Sequence, residues 1–419
     1  MVHILITLLG DPRINKDGSY PETIYQFEDG DKSSLTSYTS LAIKEKFNLD
    51  KVVVLGTTKS SWHLFIKYCF IKSDKIQDQN SISVLLERLE SDYNNDSVKQ
   101  SDLDEAANLL KKYDNQDCAY ELRLVPYGHN RSEQTQTLQI MMDCFNNKRE
   151  QQEATLDVSY GLRHLPMLMQ QSALLLQSLR GVKVNNIFYG AFHIAKNNIT
   201  PMMALDGMLE IDRWTKAFHQ YEQDGNYAAF KEPLQHEGIK QEGLNALQKA
   251  AYYERTFNLT KASEDLDIVK EHLPTDFKGV SSFFTNRFKQ HITWIDKSDL
   301  QKQQGKLAHF YLKNGDFVRA CIFALESFIT SLLEKPELLK QQDHDTRKKA
   351  VDDFRSSNPR SRFRQSKKGL KTDYIKLNNI RNTLAHGTEP EKDIVILMEN
   401  PIELQKELER IFNKLGVKP

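Results

Sequence analysis

Two architectures follow one another along this chain: a parallel α/β sheet with helices on both faces, then an all-α bundle. Two observations predict them. Five short apolar runs, at residues 2–9, 51–55, 121–125, 154–158 and 184–189, are separated by stretches long enough for crossover helices. Beyond Leu205 the strand signals fade, and apolar residues recur at steps of three and four.

In the first half, crossover helices are expected at 36–47, 133–147 and 166–179. The loops after the five runs share a composition. Gly10 and Asp11 follow the first, and residues 56–62, with Thr57 and Thr58, follow the second. Tyr127, Gly128 and Asn130 follow the third, Ser159, Tyr160, Gly161 and Arg163 the fourth, and Gly190 the fifth. In parallel sheets ligands gather at the carboxyl ends of strands. Glycine lets backbone amides approach a phosphate, hydroxyls and amides give hydrogen bonds, tyrosine stacks on a base, and arginine supplies charge. Any one such glycine is an ordinary turn residue, but five such loops on one edge favour a nucleotide-like ligand. No Gly-x-Gly-x-x-Gly follows the first run and no Gly-Lys-Ser/Thr loop occurs, which argues against a dinucleotide cofactor and ATP hydrolysis.

In the second half, Met208, Ile211, Trp214, Phe218 and Tyr221 form a helical stripe that reads as dimer-facing or domain-bridging. Further helices are expected at 239–256, 260–272, 302–313, 316–333, 347–355 and 373–386. Residues 317–333 are strongly apolar and form the expected central helix, with Arg319 and Glu326 as salt-bridged supports. Residues 359–371 are dense in positive charge and have the composition of a loop. Arg360, Arg362 and Arg364 are candidate RNA-phosphate contacts there.

The strongest chemical signal is Arg381-Asn382-x-x-x-His386. An imidazole moves protons near neutral pH, a guanidinium neutralises charge on a phosphate in flight, and an amide orients either. RNA supplies its own nucleophile, the 2′-hydroxyl. Arg123 with His129 and Arg213 with His219 fit a looser spacing and read as structural. The third match follows Tyr374, Leu377, Ile380 and Leu384 at helical steps and precedes the stop residues Gly387 and Pro390. His386 then lies in the last turn, where the helix dipole favours a cation. Five residues on a helix turn a side chain by roughly 140° and rise about 7.5 Å, so Arg381 and His386 of one helix converge poorly. A composite site across a two-fold axis is therefore expected.

Length allows two or three domains. The 57 basic and 57 acidic residues cancel, so a nucleic-acid site must rest on local patches. Cys69, Cys118, Cys144 and Cys321 have no metal or pairing spacing and read as buried thiols of a reducing compartment. No His/Cys/Asp cluster has ligand spacing, so no metal is expected. The first apolar run begins at residue 2 with no signal peptide before it, and apolar stretches such as 173–179 are too short for a bilayer. A cytoplasmic, soluble protein without a membrane partner is expected.

Residues 5–10, 52–58, 125–128, 156–166 and 187–191 resemble a CARF domain in order and spacing, and the Arg-Asn-x-x-x-His resembles the ribonuclease motif of HEPN domains. Together the pairing resembles the accessory ribonucleases of type III CRISPR systems. The resemblance implies a Rossmann-like CARF sensor at 1–200, a connecting helical segment at 201–238 and a HEPN bundle at 239–419. It implies activation by cyclic oligoadenylate at the strand-end loops, with the cyclic tetramer favoured over the hexamer. It further implies a homodimer or higher homo-oligomer, and metal-independent cleavage of single-stranded RNA without a catalytic cofactor. Relatives often carry His where this chain has Tyr160, a poor proton shuttle, so cleavage of the activator by the sensor is left open. The alternative is a cyclic-oligoadenylate-binding dimeric regulator with a catalytically silent bundle.

Overall fold

The computed structural model describes residues 2–11, 21–72, 79–113, 118–145, 151–296, 299–333, 343–356, 364–387 and 392–419. Two compact units divide between Leu209 and Glu210. The first contains β1 (Val2–Leu9), β2 (Thr23–Gln26), β3 (Lys32–Thr36), α1 (Thr39–Lys46), β4 (Lys51–Gly56), α2 (Trp62–Ile71), α3 (Gln79–Asn94), α4 (Gln100–Tyr113) and β5 (Ala119–Leu124). It continues through α5 (Arg131–Asp143), β6 (Gln152–Asp157), α6 (His164–Leu175), β7 (Lys183–Gly190) and β8 (Ile199–Ala204).

The described strands form one sheet in the order β3-β2-β8-β7-β6-β1-β4-β5. β1, β4, β5, β6 and β7 are mutually parallel, each at one of the expected runs. The sheet is nevertheless mixed: β8 runs antiparallel to β7, and β3 antiparallel to β2. The three unexpected strands are short and polar, or carry a proline (Pro201 in β8).

Alternation along β1 explains the two cores. Leu5 and Leu9 join Val52, Val54, Trp62, Phe65 and Leu103 on one face, under α1–α4. Ile4, Ile6 and Leu8 join Val53, Leu55, Leu156, Met169 and Ala173 on the other, with α5 and α6. A strand buried on both faces reads as a continuous apolar run, and each fully buried Leu, Ile or Phe contributes about 1.5–3 kcal/mol.

α7 (Asp206–Asp224) carries the chain past the boundary. The second unit continues with α8 (Lys231–His236), α9 (Gln241–Arg255), α10 (Leu259–His272), α11 (Ser282–Ile292), α12 (Leu300–Lys313) and α13 (Phe317–Ser331). It ends with α14 (His344–Ser356), α15 (Arg364–His386), α16 (Lys392–Met398) and α17 (Pro401–Leu415). Trp214, Phe218 and Tyr221 of the stripe are buried in this unit's own core with Phe230 and Phe288, so they do not face a partner subunit. Ile211 alone of the stripe is exposed. β8 and the packing of Tyr227, Phe230 and Leu234 also take up residues expected to form a connecting segment.

Arg319 does act as a support. It pairs with Asp316 at 2.6 Å, donates to the Asp224 carbonyl at 2.7 Å and lies over the Tyr311 ring. Glu326 pairs with Arg347 at 2.5 Å. Beneath Arg319, Glu254 is fully buried on α9 and accepts a hydrogen bond from Tyr311 Oη, while its Oε2 has no hydrogen-bond partner. Burial pushes its carboxyl up to about 7. None of the four cysteines is in a disulfide; Cys118, Cys144 and Cys321 are buried, whereas Cys69 is half-buried. Among the described residues, no helix is long and apolar enough to cross a membrane.

Candidate functional sites

Parallel pairing brings the carboxyl ends of β1, β4, β5, β6 and β7 to one edge. β4 and β5 lie on one side of β1 and β6 and β7 on the other, the chain crossing over from β5 to β6. The reversal between β1 and β6 is the switch point at which α/β sheets hold ligands.

Gly10 and Gly161 meet there. A Cβ on Gly10 would stand 2.9 Å from the Gly161 nitrogen, and Gly161 has φ +90°, a conformation that suits glycine. Beneath them Asp157 is fully buried at the end of β6. Its Oδ2 accepts from Thr7 Oγ1 at 2.7 Å and Thr39 Oγ1 at 2.5 Å. Its Oδ1 accepts from the Ser159 amide at 3.0 Å and from Ser159 Oγ. Burial raises its pKa, against the pull of these donors. Ser159 Oγ in turn accepts from the Gly190 amide at 2.8 Å. A Cβ on Gly190 would overlap the Thr39 methyl. One buried carboxylate therefore ties together the ends of β1, β6 and β7 and the start of α1.

The other loops are joined in pairs. Ser61 donates through its amide to the Gly10 carbonyl at 3.1 Å and through Oγ to Asp11 Oδ1 at 2.7 Å. Thr58 Oγ1 lies 3.2 Å from Tyr127 Oη, and both hydroxyls donate to Asp96 Oδ1. These bonds hold the exposed Asp96 carboxyl below its usual range, with Thr58 the larger influence. Tyr160 Oη donates to the Ser37 carbonyl at 2.9 Å and lies 3.2 Å from Tyr25 Oη. Arg163 is exposed, with no hydrogen-bond or ion-pair partner among the described residues. The surface carboxylate that would make it structural is absent among them.

Three more of the expected ligand contacts are also engaged within the fold. Thr57 is buried, its amide bonded to Ser60 Oγ at 2.9 Å and its carbonyl to Trp62 Nε1 at 2.9 Å, so it serves the turn. Asn130 caps α5 by accepting from the Glu133 amide at 3.0 Å. Glu133 reaches back to the Gly128 and His129 amides at 2.9 and 3.0 Å, so the donors expected to meet a phosphate already hold a carboxylate. The functional part that sequence reasoning missed is Asp157, although an acid inside a run buried on both faces was a visible signal.

The second candidate site lies on α15. Tyr374, Leu377 and Ile380 are buried in the bundle core, and the helix packs on α13 and α17. Lys376–Glu407 at 2.8 Å and Asp373–Arg410 at 2.6 Å pin it to α17. Arg410 and Lys376 hold the Glu407 carboxyl down to about 2. Arg381 is half-buried and donates to Asn378 Oδ1 at 3.2 Å. Asn382 is half-buried, and His386 is exposed at the helix end with no partner among the described residues. Gly387 stops the helix at φ +60°, its amide bonded to the Thr383 carbonyl at 3.0 Å. The structure thus does not join Arg381 to His386 within one chain.

α15 begins at Arg364, so residues 364–371 are helical and not a loop. Arg, Gln, Lys and Leu in that stretch are good helix formers, which outweighs the loop-like charge density. Arg360 and Arg362 lie outside the described residues, as does the Arg364 side chain. Among the described residues, no group of three or more His, Cys, Asp or Glu could hold a metal ion.

Residues 4–193 match a family model described as CRISPR system endoribonuclease Csx1, CARF domain. The chain is 24% identical over 420 residues to CRISPR-associated protein MJ1674 of Methanocaldococcus jannaschii, covering 96% of this chain and 65% of that relative. It therefore spans about two thirds of the length of the curated relative it matches. Among solved structures it is similar to Enterococcus italicus Csm6 bound to cyclic hexa-2′-fluoro-hexa-dAMP. That likeness has a TM-score of 0.43 and 10% identity, and covers 100% of this chain and 94% of that one.

Proposed function

We propose that this chain, a CARF-containing protein of the CRISPR-associated class, is an endoribonuclease of type III antiviral defence that a cyclic oligoadenylate switches on. The observation that carries the reading is the end of α15. A half-buried Arg381 and Asn382 precede an exposed His386, without a partner among the described residues, on a helix anchored by buried Tyr374, Leu377 and Ile380.

The activator sits across the two-fold axis of paired sensor units and touches the strand-end loops, with Arg163 free to meet a phosphate. Binding energy available in only one arrangement shifts the dimer toward it. Paired helical units of the HEPN class then set two Arg381 and two His386 around single-stranded RNA. His386 moves the proton between the 2′-hydroxyl and the leaving 5′-oxygen. Arg381 stabilises the pentavalent phosphate, and Asn382 orients one of them. Attack from within the RNA leaves a 2′,3′-cyclic phosphate and needs no metal. The cyclic tetramer is the favoured activator and the hexamer the second.

The test incubates purified protein with fluorescent RNA and a panel of cyclic oligoadenylates, with and without EDTA. Cleavage that depends on one ring, persists in EDTA and ends in cyclic phosphates supports the reading. No cleavage with any ring would leave the silent regulator as the better description.

A further inference from the structure

α7 has two faces. Trp214, Phe218 and Tyr221 point into the core, while Arg213, Lys216, Ala217 and Gln220, at steps of three, one and three, lie on the flank toward α8. Between that flank and α8 lies a cavity of about 370 Å³, into which α8 contributes Lys231 and Gln235. Ala228 and Ala229 also line it, and such small side chains leave the space open.

The charge of this cavity is unbalanced. Three cations line it against one carboxylate, Glu232. Lys216 is exposed with no partner among the described residues, and Lys231 donates only to the neutral Gln248 at 3.0 Å. The Arg213 side chain is 16% exposed and makes no hydrogen bond among the described residues: Glu232 approaches its Nε only to 3.7 Å, longer than a hydrogen bond, and the neighbouring Asp212 feels its charge without bonding to it. A half-buried guanidinium with no hydrogen-bonded protein partner has its fork of donors available to a bidentate oxyanion. No aromatic side chain lines the cavity among the described residues, so nothing there stacks on a base.

We infer that this cavity of the helical unit, built by Arg213, Lys216 and Lys231, binds the phosphodiester backbone of single-stranded RNA independently of its sequence. It is separate from the motif helix: no described residue lining it belongs to α15, which packs chiefly on α13 and α17. The inference rests on the proposal that RNA is the substrate, and adds a second hold on the strand away from the cut.

The test uses the full chain carrying His386→Ala, so that RNA survives, and a labelled single-stranded RNA whose binding is followed by anisotropy across salt concentrations. Replacing Lys216 and Lys231 by Gln is expected to weaken binding for every sequence. The slope of log affinity against log salt should fall by about 1.4, at about 0.7 for each phosphate that no longer meets a cation. Arg213→Gln is expected to act in the same direction; if it fails to fold, the lysine pair alone decides. An unchanged slope in the lysine pair would overturn the inference. So would saturable binding of ATP or pyrophosphate that depends on these lysines and is not displaced by RNA, because the cavity would then serve a small anion. The two proposals fail separately: a reduced slope in a chain that cuts no RNA sinks the activity alone, and normal cutting with an unchanged slope sinks this site alone.

Discussion

Gly10 and Gly161 touch across the point where the sheet reverses its strand order, leaving no room for a methyl group between them. Gly10→Ala places a carbon 2.9 Å from a backbone nitrogen, which has no rotamer by which to yield. Overpacking of this kind typically costs about 1–3 kcal/mol. Denaturant unfolding of the variant is expected to show a loss in that range, with weaker binding of cyclic oligoadenylate. A variant as stable as the wild type would mean that the two loops separate readily.

Asp157 accepts from three hydroxyls and one amide in a fully buried place. Asp157→Ala orphans those donors, and each buried unsatisfied group costs about 1–3 kcal/mol. The loss should exceed that of Gly10→Ala and be large enough to lower expression. Arg163→Ala, at an exposed position, should leave the melting temperature unchanged and reduce only activator affinity. Equal melting temperatures for Asp157→Ala and wild type would remove the carboxylate from the framework of the site.

The separation of Arg381 from His386 along α15 gives a complementation test. Each single alanine variant should lose about 10²–10⁴-fold in cleavage rate. If the pocket is shared between copies as proposed, mixing the two inactive variants and allowing subunits to exchange should restore activity, with an arginine from one copy and a histidine from the other. Failure to regain activity after proven exchange would mean that each chain builds its own site.

Glu254 sets a pH dependence of stability. Burial raises its folded-state carboxyl to about 7, above the ordinary 4.5. The folded protein thus holds a proton that the unfolded chain releases in between. Its contribution is fully present below about 4.5 and is lost as pH rises to about 7, amounting to roughly 3 kcal/mol. Glu254→Gln keeps the shape without the charge, so it should be the more stable form at pH 8 and should flatten this part of the profile. Parallel unfolding profiles for both proteins would show that Glu254 does not titrate there.

The parallel strands were legible because each is buried on both faces and so runs apolar without a break. β3, Lys-Ser-Ser-Leu-Thr at the sheet's edge, carries no such signal, and Pro201 disguises β8. α17 was missed although Leu404, Leu408, Ile411 and Leu415 keep helical steps after the capping pair Asn400-Pro401; the seven residues of α16 are too few to carry such a signal. The edge on which the glycine loops gather followed from strand direction alone. What each side chain does there did not. Asp96 meets Tyr127 across 31 residues, and Glu133 turns inward onto the Gly128 loop, facts that appear only once the chain is folded. Arg364–Lys371 misled for the opposite reason, because charge density and helix propensity coincide in the same residues.

The bonds from Ser61 to Asp11, from Thr58 to Tyr127 through Asp96, and from Ser159 to Gly190 leave few of these loops able to move alone. The edge behaves as a linked row rather than a set of fingers. Displacing one loop would strain the neighbours bonded to it, so a molecule resting there would meet the row as a unit and not as separate touches.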